Sequence, residues 1–475
     1  MPNPSQPLIL YSRAARWGMT HCACAVDGVA RGERPLPAPA GLWTHPAGLV
    51  RLPLPQEHQV FFNPTGAAGV VVLNRAAQAV WERYAGPRPL EDETARRLAA
   101  LDLLQAEGAT PAPPRSPVLT AWLHITNACN LRCTYCFVRK SDEAMDEATG
   151  EAALQAVFGA AVSHGFQAVK LKYAGGEPTL HFGLLRRLHD RAAALGRQYG
   201  LDVEEVIISN GVALTGAMLD FIRQADMTLS ISLDGLDGGH DRQRVFANGR
   251  GSAEHVLRGI ERALAHGVRP HLSVTVTRHN VESLPEVVRF ALERQLYFNL
   301  NLYQEHEPGV HHDELRAANE ALIAGLRRAL EVIAADLPRY NVFTALLDRT
   351  NLAGPHAKAC GVGENYLVMD HRGRVSRCQM ELDRPVTAVG AGDVLHHIHL
   401  YEDAAPFRNL SVETKADCRD CPWRYVCAGG CSLMTYRSFG RSDVASPYCA
   451  VYQALLPEIL RLEGLRLLRW GAEAM

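Results

Sequence analysis

From residue 118 onward the apolar positions follow two alternating rhythms. VLTAWLHIT (118–126) is a nearly unbroken apolar run rich in β-branched residues, the pattern of a strand covered on both faces. AVKLKY (168–173), EVIIS (205–209), TLSIS (228–232), LSVTVT (272–277) and YFNLNLY (297–303) repeat that pattern. Between them lie segments such as EAALQAVFGAAVSHG (151–165) and SAEHVLRGIERALAHG (252–267), whose apolar residues recur at helical spacing. Six strand–helix units in succession predict parallel strands joined by right-handed crossovers. Roughly 180 residues fall short of the ~250 of a closed eight-stranded barrel, so the expected fold is α/β, a partial (β/α)6 TIM-like barrel with one open side. Its chemistry should collect at the C-terminal ends of the strands.

The flanking regions lack this rhythm. GATPAPPRSP (108–117) is rich in breakers and marks a boundary, with a separate domain over 1–110 and a linker over 111–117. The first domain reads as short strands followed by helices around 76–84 and 91–104, with Ala77, Val80 and Trp81 on one apolar face. After the barrel (118–305), residues 306–350 have helical periodicity and bridge to a cysteine-rich domain at 351–449. Residues 450–475 form an amphipathic helix whose Leu455, Leu456, Ile459, Leu460 and Leu462 should pack on the protein.

Charge and composition narrow the partners. With 49 Lys+Arg against 51 Asp+Glu over 475 residues, the chain lacks the cationic surplus that sequence-independent phosphate binding requires, and no nucleic acid is expected. No apolar run approaches the ~20 residues that span a bilayer, and the N-terminus lacks the apolar stretch of a signal peptide, so a cytoplasmic protein without a membrane partner is expected. Twelve cysteines in that compartment read as metal ligands rather than disulfides.

Their spacing is specific. Cys129, Cys133 and Cys136, spaced x3 and x2 on one loop after the first strand, can hold three corners of an iron–sulfur cube and leave the fourth iron open. A structural zinc site would want a fourth ligand close by, and none follows. Cys360 and Cys378 form a second group, and Cys418, Cys421, Cys427, Cys431 and Cys449 a third. Cys22 and Cys24 remain, read as small buried or incidental thiols, since a CxC metal site would lack neighbouring partners. At the other strand ends stand Gly175-Gly176-Glu177-Pro178, Asn210-Gly211 and Asp234-Gly235. Each alone is a tight turn; gathered on one rim with the cysteine loop, they outline a site in which the Glu177 carboxylate could bind an amino group.

The cysteine triad, the Gly-Gly-Glu-Pro turn and Ser232-Leu233-Asp234-Gly235, with His240, Asp241 and Arg244 downstream, together resemble the radical SAM superfamily over 118–305. The resemblance implies that Cys129, Cys133 and Cys136 hold a catalytic four-iron four-sulfur cluster whose open iron is chelated by S-adenosylmethionine. Reductive cleavage would then give methionine and a 5′-deoxyadenosyl radical that abstracts a substrate hydrogen. It further implies that Glu177, with Gly175 and Gly176, holds the amino group, that Tyr135 lies against the adenine, and that Ser209, Asn210, Ser232 and Arg244 contact the ribose and carboxylate.

The seven C-terminal cysteines are similar to the complete pattern of SPASM domains, which implies two auxiliary four-iron four-sulfur clusters and three clusters in all. By that likeness Cys418, Cys421, Cys427 and Cys449 close one cluster, and Cys360, Cys378 and Cys431 hold three corners of the other. Its fourth corner is open to His356, otherwise read as a surface residue, or to a substrate thiolate; zinc is the alternative for the CX2CX5CX3C segment taken alone. The first domain resembles the winged-helix-like leader-peptide recognition elements of peptide maturases, which bind a leader as an added strand.

These likenesses imply a radical SAM peptide maturase that makes a thioether or carbon–carbon crosslink in a precursor peptide bearing a leader, with a one-electron reductant such as flavodoxin or ferredoxin as partner. Three alternatives stand beside it. An anaerobic sulfatase-maturing enzyme would carry an Asp base after the second SPASM cysteine, where this chain has Gln379, with Glu381 and Asp383 just beyond. A peptide epimerase would need a hydrogen-atom donor, for which Cys22 or Cys24 would have to serve. A non-enzymatic iron–sulfur or zinc scaffold would have no use for Glu177.

Overall fold

A computed structural model describes residues 6–11, 36–38, 41–109, 113–306 and 312–471; Cys22 and Cys24 lie outside them. The six expected strands form as Val118–Thr126, Ala168–Gly175, Asp202–Ser209, Thr228–Ser232, His271–Val276 and Phe298–Leu302, adjacent in chain order and all parallel. Every residue of Val118–Thr126 is buried, as a parallel strand with both faces covered demands. The crossover helices are set by local chemistry. Asp146 accepts the Thr149 N–H at 2.7 Å to start Glu147–Ser163, and Gly200 in the left-handed region ends Phe182–Tyr199.

Two features depart from the sequence reading. The barrel sheet continues past its first strand: Tyr366–Met369 adds in parallel beside Val118–Thr126, followed by antiparallel Arg374–Ser376 and Thr387–Ala388, giving nine strands. The cysteine-rich region is therefore built onto the barrel sheet. Among the described residues of the expected helical bridge over 306–350, helices form only at His312–Leu315 and Asn319–Ala335, so the bridge is shorter. Pro338 follows within three residues, and the chain then runs irregularly along the sixth strand, where Leu300 N–H donates to Leu346 C=O at 2.8 Å and Asp348 N–H donates to Leu300 C=O at 3.0 Å. The segment thus satisfies an otherwise open sheet edge.

The first domain is a four-stranded antiparallel sheet in the order Ile9–Tyr11, Val70–Leu73, Gln59–Phe62, Val50–Pro53. Alternation sends Phe61, Val71 and Leu73 to a small core with Trp81 on helix Arg75–Glu82 and Leu98 on helix Glu93–Ala100. Val60, Phe62, Val70 and Val72 point the other way, into the main core beside the C-terminal helix Cys449–Trp470. That helix also packs on Asn319–Ala335, where Arg327 pairs with Glu458 at 2.8 Å. Among the described residues no helix is long and apolar enough to cross a membrane.

Since the C-terminal helix joins the first domain to the rest through wholly buried side chains, Leu460→Ala should cost about 2–5 kcal/mol. A thermal melt reads this directly, and an unchanged midpoint would contradict the packing.

Candidate active site

The first strand ends at Thr126 and the chain turns into the cysteine loop. A short strand, Leu131–Cys133, pairs antiparallel with Arg244–Phe246, setting Arg244 opposite Cys133. Each thiol faces its own donor. Arg244 Nη1 lies 3.8 Å from Cys133 Sγ and Lys140 Nζ lies 3.1 Å from Cys136 Sγ. Cys129 Sγ receives the Leu131 N–H at 3.4 Å and faces Asn210 Nδ2 at 3.8 Å. Burial pushes the Cys129 thiol up and Cys133 up to about 12, so their deprotonation calls for a metal. This half-buried donor set fits an iron–sulfur cluster.

The second strand ends against the same loop. A Cβ at Gly175, whose φ is +140°, would lie 2.4 Å from Thr126 O, and one at Gly176 would lie 2.1 Å from Ala128 O. Only glycines allow the ladder to continue here, with Gly176 N–H donating to Thr126 C=O at 2.6 Å and Glu177 N–H to Ala128 C=O at 2.8 Å. The Glu177 carboxylate is wholly buried. Oε1 accepts from Thr179 N–H (3.1 Å), Thr179 hydroxyl (2.6 Å) and Ser209 hydroxyl (2.9 Å), and Oε2 from Asn210 N–H (2.7 Å). Burial raises its pKa while these donors oppose the rise. Glu177 therefore bridges the ends of the second and third strands and orients Ser209 and Asn210, with acceptor capacity left on Oε2.

Asp234, read from the sequence as a turn residue and part of the family motif, has no contact assigned to it there, yet it organises the rim. Its buried carboxylate accepts from Tyr135 hydroxyl (2.5 Å), Arg244 Nε (2.6 Å), Gln243 Nε2 (2.9 Å) and Thr275 N–H (2.8 Å). Arg244 lies over the Tyr135 ring, 5.1 Å from its centroid. Tyr135 is thus held on the rim by a buried ion pair, and burial pushes its hydroxyl pKa well up. Ser232 closes the fourth strand in register with Ser273. His240 supports the turn, its Nδ1 accepting Asp234 N–H at 3.2 Å and its Nε2 3.0 Å from Ser252 Oγ.

In the C-terminal region Cys418, Cys421, Cys427 and Cys449 line one small pocket. Cys360, Cys378 and Cys431 are mutual neighbours, and burial raises the Cys378 and Cys431 thiols. Between Cys427 and Cys431 the chain makes a left-handed turn, with φ of 45°, 72° and 70° at Ala428, Gly429 and Gly430, sending consecutive cysteines of the motif to different groups. His356 corrects the surface reading made of it: it is buried, and burial lowers its pKa to about 4.

A larger cavity, about 690 Å³ and open to solvent, separates the cysteine loop from this region; Phe137, His124, Gln379, Glu381 and Arg437 are among its lining. Gln379 Oε1 accepts the Tyr366 hydroxyl at 3.2 Å, Glu381 pairs with Arg377 at 3.3 Å, and Asp383 with Arg139 at 3.4 Å.

Three thiols, a glycine-lined turn and a buried acid–arginine pair thus gather at the strand ends on one rim of a partial α/β barrel. Residues 123–291 match the model of the Radical SAM superfamily, whose members use S-adenosylmethionine and a four-iron four-sulfur cluster. A serine-type anaerobic sulfatase-maturating enzyme from Klebsiella aerogenes is 31% identical over 186 residues, 38% of this chain and 44% of that protein. Several of the curated relatives are matched over only 42–57% of their length. Among solved structures, anSMEcpe with bound AdoMet and Cp18Cys peptide superposes with a TM-score of 0.57 at 18% identity, covering 74% of this chain and 99% of that one. Streptococcus suis SuiB bound to precursor peptide SuiA gives 0.51 at 16% identity, covering 86% and 99%. At these identities the two structures establish a shared fold.

Two outcomes follow from the Asp234 cluster. Asp234→Ala leaves the buried Arg244 guanidinium without its carboxylate and should cost about 3–5 kcal/mol in denaturant unfolding. Burial lowers His240 from 6.5 to about 4. Between those values the unfolded chain binds a proton that the folded one refuses, so this contribution to stability falls as pH drops from 6.5 toward 4. His240→Asn should reduce the slope of stability against pH in that window by up to one proton.

Proposed function

We propose that the chain is a radical SAM peptide maturase that forms a thioether or carbon–carbon crosslink. The observation that carries this reading is the convergence of the Cys129, Cys133 and Cys136 loop with Glu177, Asn210 and Arg244 on one rim, beside a cavity that Asn127, Phe137 and Val138 of that loop share with Gln379, Glu381 and Arg437 of the cysteine-rich region. When bound, S-adenosylmethionine and its cluster supply a 5′-deoxyadenosyl radical on one-electron reduction. The chain's own residues bind, orient and shield. Cys129, Cys133 and Cys136 hold the cluster, and Lys140 and Arg244 offset its thiolate charge. The Gly175–Glu177 turn offers carbonyls and the remaining capacity of Oε2 to the amino group, while Tyr135, fixed by Asp234, lies against the adenine. Ser209, Asn210, Ser232 and Arg244 face the ribose and carboxylate. Exclusion of water and fixed placement of one substrate C–H bond then set the specificity.

Cys418, Cys421, Cys427 and Cys449 hold one auxiliary cluster, and Cys360, Cys378 and Cys431 hold another with one corner left to substrate. Their support is the four-thiol cavity and the clustering of the other three. A precursor peptide is favoured because two proteins of the same fold are solved with bound peptides. The first domain would take its leader on strand Val50–Pro53, a free edge of the four-stranded sheet. An outside one-electron donor, a flavodoxin or ferredoxin, would supply the rim cluster. The ten described cysteines form no disulfide, which suits a reducing cytoplasm. The sulfatase-maturing alternative is disfavoured: Gln379 is an amide held by Tyr366, and Glu381 and Asp383 are engaged by arginines.

Anaerobic reconstitution should yield about twelve irons per chain, four per cube. Cys129→Ala should abolish 5′-deoxyadenosine formation and keep about eight; turnover in that variant would sink the assignment. Hydrogen exchange supplies a separate check on the leader site. Backbone amides of Val50–Pro53 should gain protection when a leader-bearing precursor is added, and no gain would remove the first domain's role.

A further inference from the structure

Lys415 stands out in the cysteine-rich region because nothing assigned so far uses it. Its side chain has no exposed surface, and among the described residues no carboxylate pairs with it; its ammonium makes one hydrogen bond, to Ala428 C=O at 3.3 Å. A lone carbonyl does not compensate a buried cation. The ionisable groups whose fields reach it are thiols of both auxiliary groups: Cys418 and Cys427 from one, Cys360 and Cys431 from the other. The left-handed turn at Ala428–Gly430 creates the berth. A Cβ on Gly429 would lie 2.9 Å from Lys415 Nζ and 3.2 Å from Cys418 Sγ, so the ammonium and that sulfur are neighbours over the bare glycine.

We infer that Lys415 is the shared counter-cation of the two auxiliary clusters, buried between them under the Cys427–Cys431 turn to hold both at a raised reduction potential. The inference rests on the auxiliary-cluster reading above. Physically, thiolates bound to iron supply the negative charge that the ammonium lacks in the bare chain. A fixed positive charge in a low-dielectric interior favours the reduced, more negative state of each cluster it faces.

The test is a potentiometric titration followed by electron paramagnetic resonance on full-length protein with Cys129, Cys133 and Cys136 replaced by Ala, which isolates the auxiliary signals. About eight irons in this parent must come first; about four or fewer would defeat the auxiliary-cluster reading itself, before Lys415 is touched. Lys415→Gln should then move both reduction waves to lower potential by at least a tenfold change in the one-electron equilibrium, about 59 mV each, while Lys415→Arg stays near the parent. Two unmoved waves, or movement of one alone, would overturn the shared role. Should Lys415→Gln lose iron, retention of about eight irons by Lys415→Arg and loss by Lys415→Met would support the need for charge. Loss in all three would assign the residue to packing and overturn the proposal.

Discussion

The rim depends on one buried carboxylate. Asp234, at the end of the fourth strand, gathers the Tyr135 hydroxyl from the cysteine loop, Arg244 and Gln243 from the return segment, and the Thr275 backbone from the fifth strand. An ionised group removed from water is tolerated only when its charge is matched and its lone pairs are filled. Four donors meet that demand, and in doing so they fix the cysteine loop to the barrel. Arg244 serves twice, since the same guanidinium faces Cys133. The loop's register, the direction of Tyr135 and the charge beside one thiol are therefore a single electrostatic solution.

Glu177 plays the corresponding part on the other side. It ties the second strand end to the third through Ser209 and Asn210, and Asn210 reaches on to Asn130 at 2.7 Å. The cysteine loop is held from both flanks by buried carboxylates, each satisfied by side chains and backbone from a neighbouring strand. The reach of the barrel sheet into the C-terminal region adds rigidity at longer range. Because Tyr366–Met369 pairs with Val118–Thr126, the strand before the cysteine loop and the hairpin before Cys378 belong to one sheet. The separation between rim and cysteine-rich wall is thereby set by backbone hydrogen bonds rather than by a linker.

Much of this was legible in the residues. The six strands and the helices between them follow from periodicity, because strands covered on both faces must be apolar throughout and crossover helices need one apolar stripe. The cysteine spacings announce metal chemistry for a similar reason: ligands close in sequence are close in space whatever the fold. Tyr366–Met369 escaped notice because four apolar residues outside the repeating units look alike in a strand, a loop or a small core. The role of Asp234 escaped because a Leu-Asp-Gly turn carries no mark of the four partners that arrive from 9 to 99 positions away. His356 was misjudged as a surface residue in the same way, since its burial is decided by segments distant in sequence.

By itself, then, the chain's order of residues determined its barrel, the composition of its thiol sets and the turns at its strand ends, all consequences of local spacing and of which side chains must leave water. Tertiary structure alone decided which cysteines share a cavity, that Lys415 lies between two groups, and that the C-terminal helix joins the first domain to the barrel. Those outcomes turn on long-range packing, where burial and charge are matched between segments that carry no record of each other in their own sequence.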